Sequence, residues 1–115
     1  MINEQKAAIV AAVNGVDGVK AFITRPKILM PGTAYVRWRG WERSDGSAYA
    51  STWSVIIVLP QADEETADAW IYDHADVLET ALRPVMYVES FQPASLPVEA
   101  NPRGLFALQI NGRSE

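Results

Sequence analysis

The chain has 115 residues, a net charge of −4 at pH 7, 49% apolar residues and 21% charged residues. That composition excludes a disordered chain, and the acidic balance argues against a dedicated nucleic-acid binder. No cysteine is present, which excludes disulfides, thiolate metal sites and a cysteine nucleophile.

The length suits one domain spanning 1–115 that buries its own core. No apolar run approaches the roughly 18 residues of a membrane span. The first residues, MINEQKAAIVAAV, lack the basic flank of a signal peptide and read as an amphipathic helix over 2–14, with Ile2, Ile9, Val10 and Val13 near helical spacing. Asn14-Gly15 and Asp17-Gly18 stop it. A short strand is expected over Val19–Ile23, followed by an irregular segment marked by Pro26 and Pro31-Gly32.

Residues 33–43, TAYVRWRGWER, alternate. The spacing predicts a strand with Ala34, Val36 and Trp38 on one face and Tyr35, Arg37, Arg39, Trp41 and Arg43 on the other. Ser44-Asp45-Gly46-Ser47 is a hairpin turn signal, and Ala48–Leu59 is the return strand. The last residues of that strand are all apolar, as expected of a strand covered on both faces. After Pro60, Asp63 is a suitable N-cap for a helix that Pro84 ends near Arg83. Its inner face would be Ala67, Trp70, Ile71, His74, Leu78, Ala81 and Leu82; its outer face, Glu65, Asp68, Tyr72, Asp76, Glu79 and Arg83. Residues 85–91 read as a strand, 93–103 with Pro93, Pro97 and Pro102 as a long loop, and 104–111 as a last strand. The fold class is α+β: a mostly antiparallel sheet of four to five strands, with an N-terminal helix and one long helix packed on it.

Motifs for chemistry are not found. The phosphate-binding loops GxxxxGK[ST] and GxGxxG do not occur, nor does the nucleophile motif GxSxG. The single histidine, His74, reads as a partly buried side chain with one hydrogen-bond partner. Asp73 and Asp76 do not share its helix face, so the helix alone builds no metal site. The acids of residues 63–76 read as a solvated helix face. No enzyme, cofactor or metal is expected. The strand with Tyr35, Arg37, Arg39, Trp41 and Arg43 is the candidate interface, because Arg and Trp are enriched at protein contacts. Four tryptophans are many for so small a core. Opposite charges on the helix and strand faces suit head-to-tail packing into a ring.

One resemblance covers nearly the whole chain. It rests on the N-terminal helix, the paired strands around Ser44-Asp45-Gly46, and a strand ending in VIIVLP that leads into ADEETADAWIYDHADVLETALRP. MYVESFQPASLPVEA and GLFALQING follow. In this order and texture the chain resembles the tail terminator proteins, also called minor tail proteins, of long-tailed bacteriophages. The resemblance implies a virion protein made in the bacterial cytoplasm, with protomers in a homo-oligomeric ring, commonly a hexamer. The ring would cap the tail tube, stop its polymerisation and face the head-tail connector protein, with DNA only passing through its lumen and no membrane involved. The implied contacts with tail tube protein or connector fall on Pro93, Pro97 and Arg103 or on the segment 25–32. The alternatives are another phage neck or head-completion protein, a small-ligand-binding α+β domain with a pocket near His74, Trp70 and Trp53, and a binder of single-stranded nucleic acid through Tyr35, Arg37, Arg39 and Trp41.

Overall fold

A computed structural model describes residues 2–43, 49–99 and 101–114. The elements run α1 (Ile2–Asn14), β1 (Lys20–Phe22), β2 (Thr33–Arg43), β3 (Tyr49–Val58), α2 (Glu64–Leu82), β4 (Tyr87–Val98) and β5 (Asn101–Ser114). The five strands form one sheet in the order β1-β2-β3-β5-β4, with β1 parallel to β2 and every other pair antiparallel. This is the α+β class read from the sequence, with both helices on one face of the sheet. No helix among the described residues is long and apolar enough to cross a membrane.

The main core lies between helices and sheet. Ile9 and Val13 of α1 and Ala67, Leu78 and Leu82 of α2 pack on Ala34, Val36, Trp53, Val55, Ile57, Leu108 and Ile110. Strand β3 is buried from Trp53 to its end at Val58, as its apolar run predicts, and Leu59 just beyond it is buried too. Its alternate residues Ile56 and Val58 face away from the helices, where they join Tyr35, Leu96 and Ala107 in a second, smaller cluster. Leu29, from the connection between β1 and β2, packs on that cluster. The sheet is therefore covered on the helix side and, at one end only, on the other side.

One expectation is corrected. The segment expected as a loop is strand over 93–98 and 101–103: β4 and β5 form a long antiparallel hairpin in which Pro93 pairs with Leu108, Leu96 with Leu105 and Val98 with Asn101. Three prolines misdirect the reading because proline ends central strands, whereas Pro93 and Pro97 lie on the edge strand β4 and Pro102 lies on β5 beyond its pairing with β3, where a missing N–H costs no ladder bond. The strands expected at 85–91 and 104–111 are correspondingly longer. The turn expected at Ser44-Asp45-Gly46-Ser47 lies outside the described residues, although the β2–β3 pairing that it implies is present.

Side chains finish the elements. The Asp63 carboxylate accepts the Thr66 N–H at 2.7 Å and caps α2. That backbone hydrogen bond, with a side-chain bond to Thr66 as a lesser cause, holds the Asp63 carboxyl below its ordinary pKa. At the far edge of the sheet, Asn14 acts as a surrogate strand. Its Oδ1 accepts the Ala21 N–H at 2.7 Å, and its Nδ2 donates to the Ala21 carbonyl at 3.3 Å. Residue Ala21 thus has its outward backbone groups satisfied by the last residue of α1.

Asn14→Ala should destabilise the fold by about 1–2 kcal/mol, two net hydrogen bonds' worth, as read by denaturant unfolding. For Asp63 the folded pKa is depressed, so its contribution is present above the unfolded carboxylate value and lost as pH falls through the folded one. Asp63→Asn keeps an acceptor at the cap. It should therefore flatten the acid limb of the stability–pH curve while leaving stability near pH 7 close to that of the parent.

Candidate functional site

The strand singled out by its Arg/Trp alternation does not alternate throughout. Trp38 pairs with Trp53, but Gly40, not Arg39, pairs with Thr52, so Arg39 is the extra residue of a β-bulge. Gly40 adopts φ +113° there, a conformation that side chains rarely tolerate. The bulge changes the phase of everything after it. Trp41 moves to the helix side, where its ring meets that of Trp38 edge-on at 4.9 Å between centroids. Arg43 follows, donating to the Tyr49 hydroxyl at 2.7 Å and lying over the Tyr49 ring.

The expected one-face constellation is therefore divided. Tyr35 is buried in the second cluster. Exposed Arg37 and Arg39 remain on the open face, and Trp41 and Arg43 stand on the helix side at the far end of β2. The four tryptophans divide similarly. Trp53 is 1% exposed, and its indole N–H donates to Ser114 Oγ at 2.8 Å, whereas Trp41 is 60% exposed.

Beyond the second cluster the open face becomes polar and hydrogen-bonded across four strands. Arg39 donates to Ser54 Oγ at 3.3 Å, Ser54 donates to Asn111 Oδ1 at 2.9 Å, and Asn111 Nδ2 donates to Ser90 Oγ at 3.0 Å. Gln109 also donates to Asn111 Oδ1, at 2.9 Å. The chain of bonds holds Ser54 buried yet satisfied. Over it lies an open hollow of about 450 Å³ bordered by Arg39, Glu42, Thr52, Ser90, Gln109 and Asn111. Sequence reasoning passed over this network, because Ser54 and Asn111 are far apart in the chain and each reads as an isolated polar residue in a strand.

On the helix side, Ile2, Trp38, Trp41, Tyr49 and Ser114 border a second hollow of about 890 Å³. The Trp38 indole nitrogen is buried there without a partner among the described residues.

The two segments expected to make contacts meet at one end of the molecule. Arg25 donates to the Pro97 carbonyl at 2.8 Å, tying the β1–β2 connection to the β4–β5 hairpin. Arg103 is exposed on that hairpin, and its carbonyl accepts from Ser95 Oγ. Pro93 lies further along β4, opposite Leu108. Ile23, Ile28 and Met30 of the connection are exposed, Ile28 at 74% and Met30 at 62%.

His74 is half-buried as expected. Its ring stacks on Trp70 at 3.8 Å and 10°, and Nδ1–H donates to the Trp70 carbonyl at 2.8 Å. Trp53 lies sealed in the core, and neither hollow described above includes His74 or Trp70. Among the described residues no three histidine or carboxylate side chains cluster in a metal-holding arrangement.

The geometry defines a two-layer α+β domain with three exposed features: an aliphatic end, a polar sheet face and an acidic helix face. No protein-family model matches the chain, and no curated protein matches it in sequence.

If the Ser54–Asn111 bond organises the open face, Asn111→Ala should cost about 1–3 kcal/mol, because a buried hydroxyl then loses its acceptor. Adding Ser54→Ala should remove most of that cost. Chemical denaturation of both single variants and the double variant reads the coupling.

Proposed function

We propose that this chain is a virion structural protein that forms a homo-oligomeric ring at the head-proximal end of a phage tail tube. The ring stops tube polymerisation and presents a surface to the head-tail connector. The observation that carries this reading is the exposed aliphatic end, where Ile23, Ile28 and Met30 stand beside the Arg25–Pro97 contact. Large apolar side chains exposed together on one short connection are costly in water and mark a surface that becomes covered. The sequence texture shared with tail terminators supplies the partner that covers it.

The mechanism is capping by mass action. The ring binds the last tube ring through the aliphatic end and buries the surface on which the next tube ring would add. No bond is made or broken. The domain contributes stiffness: the connection carrying Ile28 and Met30 is fixed by Leu29 packing on the second cluster and by Arg25 bonding Pro97.

The test is polymerisation of purified tail tube protein with and without the chain. Tubes should stop growing when it is added, and it should sediment with them at their ends. Ile28→Asp with Met30→Asp should weaken tube binding by roughly 100-fold or more, since each of the two aliphatic side chains buried is worth about 1.5–3 kcal/mol. Binding to a portal or adaptor ring instead of the tube assigns the chain to another position in the neck.

A further inference from the structure

Charge is segregated between the two layers. On the solvent side of α2, Glu65, Asp68, Tyr72, Asp76, Glu79 and Arg83 follow one another at intervals of three or four residues and so form one stripe. Glu79 and Arg83 bond each other at 2.8 Å, the one ion pair among the described residues. Glu65, Asp68 and Asp76 therefore have no cationic partner there. Tyr72, in the middle of the stripe, is 83% exposed.

The opposite side of the molecule has the complementary character. Arg37, Arg39 and Arg113 rise from the open sheet face, and none of them pairs with a carboxylate among the described residues. Arg113 lies over the Tyr87 ring, and Arg39 is held by Ser54. Two acids share this face: Glu42, three residues beyond Arg39 on β2, and Glu89, at the β4 edge. The order of charge along β2 is thus plus, then minus, and along α2 it is minus, then plus. The spacings differ by an amount that the side chains can span. Asp76 to Arg83 is about 10 Å and Asp68 to Asp76 about 12 Å at the helix rise. Arg39 to Glu42 and Arg37 to Arg39, each two ladder steps across the bulge, are about 7 Å at the strand rise, and arginine side chains are long enough to close the difference.

We infer that the open sheet face is the docking surface for the α2 face of a second copy of this chain. The Tyr72 ring enters the hollow beside Arg39, Asp68 and Asp76 pair with Arg37 and Arg39, and Arg83 reaches Glu42. The contact is heterologous: each copy offers α2 to one neighbour and its sheet to another. Such contacts close into a ring when the rotation permits. This deepens the proposed ring by naming the two faces that build it, and it rests on that reading.

The experiment is light scattering and sedimentation of four chains across a concentration series. These are the parent, Arg37→Glu with Arg39→Glu, Asp68→Lys with Asp76→Lys, and a chain carrying all four reversals. Tyr72→Ala is added as a charge-neutral variant at an exposed position, and circular dichroism confirms that each variant is folded. The parent should oligomerise, and raised salt should weaken it. Each two-residue reversal should weaken association by roughly tenfold per pair lost, and the four-reversal chain should regain most of it. An equal mixture of the two reversed variants should associate again, with the variants alternating, since the reversed sheet of one meets the reversed α2 of the other while each repels its own kind. A parent oligomer untouched by every variant overturns this docking surface and leaves the ring. A parent that stays monomeric at every concentration overturns both. A monomeric parent that binds a single-stranded oligonucleotide through Arg37 and Arg39 assigns the face to nucleic acid instead.

Discussion

Strand β3 needs cover on both sides, and much of the molecule follows from meeting that need. Val55 and Ile57 face the helices, while Ile56 and Val58 face the other way. An uncovered Ile or Val would forfeit about 1.5–3 kcal/mol. The helices take one side. The other is covered by a segment with no regular structure, the connection carrying Leu29, which is drawn over the sheet because β1 must return to lie parallel to β2. Cover ends where β3 itself turns polar: from Ser54 towards its start, the open face has no apolar residue that demands burial until Ala50. The boundary between the aliphatic end and the polar face is thus written into the alternation of a single strand.

A single extra residue decides where the aromatic groups go. Without the bulge at Arg39, Trp41 would share the open face with Arg37. With it, Trp41 turns back towards Trp38, and the open face keeps arginine, serine, asparagine and glutamine. The face is consequently hydrogen-bonding rather than greasy. A polar surface with an internally bonded framework presents fixed donors and acceptors, so a partner meets it with little loss of side-chain freedom.

Much of the fold could be read from the chain because local signals and global demands agree in it. Asp63 caps and Pro84 terminates α2, and the apolar run of β3 announces a strand covered on both faces. The misreadings have equally local causes. Pro93 and Pro97 look like loop residues until the edge position of β4 is known, and edge position is a property of the whole sheet. The bulge had a signal in Gly40, an isolated glycine inside an alternating strand, but alternation alone gave it the wrong phase. The candidate surfaces were half visible. The stripe on α2 follows from helical periodicity, whereas the Ser54–Asn111–Ser90 network joins three strands and exists only once their register is set.

The two edges of the sheet are also worth comparing. At β1, Asn14 occupies the backbone groups of Ala21 that a foreign strand would seek. At β4, prolines at 93 and 97 withhold two of the donors that strand addition requires. Both margins are thereby poor templates for amyloid-like growth. The exposed aliphatic residues therefore sit on a molecule whose sheet margins offer little for a fibril to extend, which leaves faces and ends rather than edges as the surfaces open to contact.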